Sequence, residues 1–102
     1  MNMLLWGTSI TPAHIPLFGF LAETGFDGVE IPVAGQSGAE LREMAAACDD
    51  LGLARTASAF VGEDSNPISP DPAVRAAAVD NLERAIDGAA VLGADILIGG
   101  IY

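Results

Sequence analysis

Three times in this chain a stretch of helical periodicity stops at a glycine and gives way, within a few residues, to a short apolar run. The joins are Gly25-Phe26-Asp27 before Gly28, Gly52-Leu53 before Ala54, and Gly93-Ala94 before Asp95. Glycine just past a helix supplies the left-handed residue that closes it. Runs that are apolar on both parities are strands covered on both faces, the mark of a parallel sheet. Parallel neighbours need a crossover through the intervening helix, so the repeat admits an open doubly wound sheet or a segment of a barrel. Periodicity alone leaves both standing.

The expected order is strand, helix, strand, helix, strand, helix, strand. The strands are placed at Met3 to Thr8, Gly28 to Ile31, Ala54 to Phe60 and Asp95 to Gly99. The helices carry their own start signals. Thr11 reads as an N-cap followed by Pro12 at the first helical position. Ser37 with Glu40 three residues on reads as a capping box, ahead of Leu41, Met44, Ala45, Cys48 and Leu51 on one face. Ser69-Pro70-Asp71-Pro72 opens the third helix, whose stripe Val74, Ala78, Leu82, Ala85, Ala89 and Leu92 faces the core, with Asp80 and Arg84 as an exposed pair one turn apart.

With 51% hydrophobic residues and 18% charged ones, the 102 residues describe a core-forming chain of a single domain. Fourteen acidic residues face four arginines and no lysine, a net charge of −10 that repels polyanions, so neither nucleic acid nor an anionic membrane is an expected partner. Cys48 is the single cysteine, which permits no internal disulfide and fits a reducing cytoplasm. No basic leader and no spanning apolar run is present. After the first expected strand, Gly7-Thr8-Ser9-Ile10-Thr11-Pro12 has neither of the glycine spacings that cradle phosphates.

Specific motifs narrow the choice. Gly25-Phe26-Asp27-Gly28-Val29-Glu30-Ile31, the opening Ser69-Pro70-Asp71-Pro72-Ala73-Val74-Arg75-Ala76-Ala77-Ala78 and the Gly99-Gly100 pair resemble, in this order, the xylose-isomerase-like barrel superfamily. Within it they are most similar to the D-psicose/D-tagatose 3-epimerase group of sugar epimerases. The resemblance spans nearly the whole chain and implies an α/β fold, the N-terminal portion of a (β/α)₈ barrel. A full barrel takes roughly 250 residues, so the expected chain is a single incomplete domain, a fragment of a longer cytoplasmic and homo-oligomeric enzyme.

That enzyme is expected to move a proton beside the carbonyl of a ketose through an enediolate, with a divalent metal (Mn²⁺, Co²⁺ or Mg²⁺). The resemblance places the ligands, two glutamates, an aspartate and a histidine, on later strands, so no catalytic or metal residue is expected here and the piece alone is expected to be inactive. What the first strand ends would supply is a wall of the sugar pocket. Trp6 offers a ring for a sugar's C–H face, or else core packing. Glu30 interrupts an apolar strand and needs a partner: substrate, water, or a structural pair with Arg55. Ser58 and Phe60 end the third expected strand, with Val61 to Ile68 as a partial cover. Gly100, Ile101 and Tyr102 follow the fourth, where the glycine pair admits close approach of a ligand or simply turns the chain. His14, three residues into a helix, is no strand-end ligand.

Other readings remain open at this stage. Aldose-ketose or hydroxypyruvate-type isomerisation belongs to the same superfamily. So does a zinc-dependent endonuclease, against which the acidic charge and the lack of strand-end histidines both argue. Outside enzymology stand a non-catalytic α/β binding module and a half-barrel that completes itself by self-association.

Overall fold

A computed structural model describes residues 1–101, with Tyr102 outside the described residues. Three parallel strands form one sheet in the order β1 (Gly28–Pro32), β2 (Ala54–Ser58) and β3 (Leu97–Ile98). The helices α1 (Ile15–Thr24), α2 (Gly38–Leu51) and α3 (Pro72–Leu92) alternate with them. Each helix ends as its sequence dictates: Gly25, Gly52 and Gly93 are all left-handed caps, with φ of 106°, 68° and 76°. Asp71 caps α3 by accepting from Ala73 N at 2.9 Å, and Ser37 caps α2 by accepting from Glu40 N at 3.2 Å. Glu40 returns no bond to the Ser37 amide among the described hydrogen bonds, so only half of the expected capping box forms. Pro72 takes the first position of α3, and Pro70 stays outside it.

The first expected strand, Met3 to Thr8, does not form. Met3–Leu5 is a 3₁₀ turn, and only Asn2 bridges to Glu30 as a strand neighbour would. The cause is local. The Asn2 side chain accepts from Leu4 N at 2.9 Å and Trp6 N donates to Met3 O at 2.9 Å, two short-range bonds that compete with a ladder. Ahead of the turn the backbone still runs along β1, with Glu30 N donating to Met1 O at 2.9 Å and the Met1 ammonium donating to Gly28 O at 2.9 Å. Strands β1, β2 and β3 thus stand where the second, third and fourth strands were expected, β2 and β3 being shorter.

Register fixes the two faces. Gly28, Glu30 and Pro32 pair with Ala54, Thr56 and Ser58, and Ser58 with Ile98, all on one face. Val29, Ile31 and Ala57 lie on the other face, buried in one core with Phe18 and Leu21 of α1, Leu41, Met44 and Cys48 of α2, and Ala85, Ala89 and Leu92 of α3. Gly88 lets α3 come close: a Cβ there would stand 3.3 Å from Val33 Cβ and 3.4 Å from Leu41 Cδ1. Arg55 ties the bottom of this layer, donating from Nη1 to Asp49 at 2.6 Å and from Nε to the Leu92 carbonyl at the end of α3. The expected Asp80–Arg84 pair is replaced by Arg84 bonding Asn81 Oδ1.

Candidate functional site

The C-terminal ends of β2 and β3 bring four of the expected pocket residues together. Ser58 closes β2 beside Ile98, and the chain then carries Phe60 outward, half exposed at 49%. The strands continue past their formal ends as a paired ribbon: Ala59 N donates to Ile98 O at 2.9 Å and Val61 N to Gly100 O at 3.2 Å. Gly100 therefore lies against the Phe60 ring, its position for a Cβ 3.9 Å from Cδ1, and Ile101 follows on the surface. Tyr102, expected at the same rim, falls outside the described residues.

Gly99 has a role of its own. Its φ is +154°, and a Cβ would run into the Ala59 carbonyl oxygen. Here the glycine pair admits another strand's backbone. The Ser58 side chain is 1% exposed, and its hydroxyl has no hydrogen-bond partner. A buried hydroxyl without a partner costs stability, so it calls for an explanation that packing does not give.

Glu30 lies apart from this group, in the middle of β1. It faces a recess of about 280 Å³ lined by Asn2, Gly28, Ala54 and Thr56, toward the strand starts. Its carboxylate accepts from Asn2 Nδ2 at 2.7 Å. The partner that the sequence called for is thus Asn2; Arg55 projects to the opposite face and serves Asp49 and Leu92. Trp6 caps the 3₁₀ turn and is 43% exposed. His14 turns back on its own segment, where Nδ1 accepts from Thr11 N at 3.1 Å.

Sequence reading missed a second cleft of about 520 Å³, between the loop after β1 and the middle of α3. Val33, Leu41, Ala59 and Ala85 line it with Phe60, and Gln36, Ser37, Asn81 and Arg84 supply its polar groups. Gln36 is the notable one: Nε2 donates to Ile10 O at 2.8 Å while Oε1 is buried without a partner. The only signal in the sequence was its place between a strand and the N-cap Ser37. Among the described residues no three His, Cys, Asp or Glu side chains converge to hold a metal, and no helix is long and apolar enough to cross a membrane. A divalent metal does not fit these residues; what they can do is bind and orient.

Comparison with known proteins bears on the fold that carries these residues. A curated ketose 3-epimerase from Arthrobacter globiformis is 38% identical over 80 residues, 78% of this chain and 28% of that protein. A crystal structure of D-psicose 3-epimerase in the presence of D-fructose superposes with a TM-score of 0.85 at 27% identity, covering 99% of this chain and 36% of that one. A D-allulose 3-epimerase from Methylomonas sp. in complex with D-allulose gives a TM-score of 0.81 at 25% identity, covering 99% and 35%. The chain thus spans about a third of the length of the relatives it matches. The sequence also matches a family pattern over residues 18–102. By that match, and by its three helix-linked parallel strands, the chain belongs to the xylose isomerase-like TIM barrel family.

Proposed function

We propose that this chain is the N-terminal wall of a ketose 3-epimerase, and that its own residues bind the sugar rather than carry out the proton transfer. The observation that carries the reading is the gathering of Ser58, Phe60, Gly100 and Ile101 at the C-terminal strand ends, where barrels of this kind hold substrate, on a scaffold similar to proteins named for 3-epimerisation. Phe60 offers an aromatic face to the sugar's C–H groups. The orphan Ser58 hydroxyl suits a sugar hydroxyl once the pocket is complete. Trp6 supplies a second ring, and Glu30, held by Asn2, sets the floor.

The reaction removes the proton at C3, beside the C2 carbonyl, and returns one to the opposite face of the enediolate. In the whole protein a divalent metal held by residues outside this chain would supply Lewis-acid stabilisation of that oxyanion. Both the metal and the acid–base pair belong, on this reading, to later strands of the barrel, in a cytoplasmic homo-oligomer.

The test is conversion of D-fructose, D-psicose and D-tagatose by the product of the intact gene with Mn²⁺ or Co²⁺, beside the 102-residue chain. Formation of the C3 epimer by the former and not the latter is expected. Aldose formation in place of the C3 epimer sinks the epimerase reading in favour of isomerisation, and activity of the short chain alone overturns its assignment as a wall. In the active protein, Ser58→Ala is expected to raise KM for the ketose with kcat little changed, and an unaltered KM removes Ser58 from the pocket.

A further inference from the structure

The two loops that lead into α1 and α2 are stitched together by one side chain. Gln36, in the turn after β1, donates from Nε2 to the carbonyl of Ile10, 26 residues earlier, at 2.8 Å. Ile10 is fully buried, and the next residue, Thr11, is held through its amide by His14 Nδ1. The segment that follows Trp6 is therefore fixed at its far end, while among the described hydrogen bonds none anchors residues 7–9 themselves. A carbonyl only accepts, so Ile10 dictates which end of the Gln36 amide faces it, and Oε1 is left buried with no donor. An apolar residue of equal length would strand the buried Ile10 carbonyl instead, so the tie exchanges one desolvated acceptor for another and gains little net stability. The chain keeps the tie nonetheless. Both ends of the tie lie in segments that run from a strand position into a helix, the side of a barrel on which substrates are held.

We propose that Gln36 is a positioning residue that fixes the Trp6 loop, residues 7–11, against the substrate mouth; its effect on substrate rests on the epimerase reading above. The experiment uses the product of the intact gene with Gln36→Met, which keeps the length and loses the donor, and Gln36→Glu, which keeps the acceptor and loses the donor. Amide hydrogen exchange of residues 7–11 is followed together with KM and kcat for D-psicose.

Expected in both variants is exchange faster by about ten-fold or more at Thr11, the hydrogen-bonded amide of this segment, and no change in the strands. The loss of one tie is expected to raise KM by roughly five- to twenty-fold, with kcat within a factor of two. Unchanged exchange overturns the proposal. Faster exchange with wild-type KM, or a lowered melting temperature with both kinetic constants intact, also overturns it by leaving Gln36 a purely structural role. If Gln36→Met does not fold, Gln36→Glu carries the same readouts. Wild-type protein that turns over no ketose sinks the epimerase reading instead, a result separate from a variant that behaves like an active wild type.

Discussion

Cys48 shows how a residue can be conspicuous in the sequence and inert in the fold. It is fully buried on α2, and burial pushes its thiol pKa up; the nearby Arg55 works against this and Asp49 with it. A group whose folded pKa is raised favours the folded state fully below its unfolded pKa. That contribution is lost as pH rises from the unfolded pKa, about 8.5, through the higher folded one. Stability is therefore expected to decline above that point in the native sequence and to decline less in Cys48→Ala, compared by urea midpoints across pH 7–10. Gly99 is the reverse case, legible as a turn glycine but not for its reason. The atom that forbids a side chain is the Ala59 carbonyl, 40 residues earlier, and no local pattern announces it. Gly99→Ala combines a left-handed φ with overlap and is expected to destabilise by about 1–3 kcal/mol, read as a lower urea midpoint at unchanged slope. Glu30 falls between these: its need for a partner was readable, but the partner Asn2 stands 28 residues away, just ahead of the segment that reads as a strand.

Among the elements, α2 and α3 were legible almost to the residue because their signals are local, Ser37 before α2 and Asp71 before Pro72, and a glycine closes every α-helix. The expected start of the first helix was not, since Pro12–His14 is a 3₁₀ turn, Thr11 makes no side-chain cap bond and α1 begins at Ile15. Asp71→Ala removes the side-chain oxygen that satisfies Ala73 N and is expected to cost about 0.5–2 kcal/mol. Asp71→Asn keeps an acceptor and should recover most of that loss, so equal losses for the two would remove the cap as the cause. Strands carried weaker signals, and the misplaced one is instructive. Met3 to Thr8 has the apolar content of a strand, but ladder formation depends on neighbours, whereas the Asn2 side chain and Trp6 amide find partners within three residues. Pairing partners lie outside any local window, which is also why β3 closes at two residues where five were expected. In α3 the buried stripe was readable, but not that Gly88 belongs to it; its smallness matters only because Val33 and Leu41 come close enough to need it.

As a whole the molecule has the proportions of a wedge cut from something rounder. Its Cα radius of gyration is 14.2 Å, against about 13 Å for a compact domain of this length, and it measures 47 × 23 × 22 Å. The helices cover one face of the sheet. On the other, Ile96 and Ile98 of the β3 side are 54% and 45% exposed, and Phe60 continues the same row outward. Exposed apolar side chains beside an unpaired strand edge favour association with another chain. Opposing this, a net charge of −10 with no lysine makes any two copies repel, and the repulsion reaches only a Debye length, about 10 Å at 0.1 M salt and 3 Å at 1 M. The two effects respond oppositely to salt, because screening weakens the repulsion and leaves the apolar attraction intact. The isolated 102-residue chain is therefore expected to be smallest at low ionic strength and to grow in mass as sodium chloride rises from 0.02 to 1 M. Light scattering on a sizing column at fixed protein concentration reads this directly. Ile98→Lys, which places a cation among the exposed apolar groups, should flatten the response. A monomer whose mass holds steady across the whole salt range would mean that this face is satisfied within the chain, and that the row from Ile96 to Phe60 is no unfinished wall.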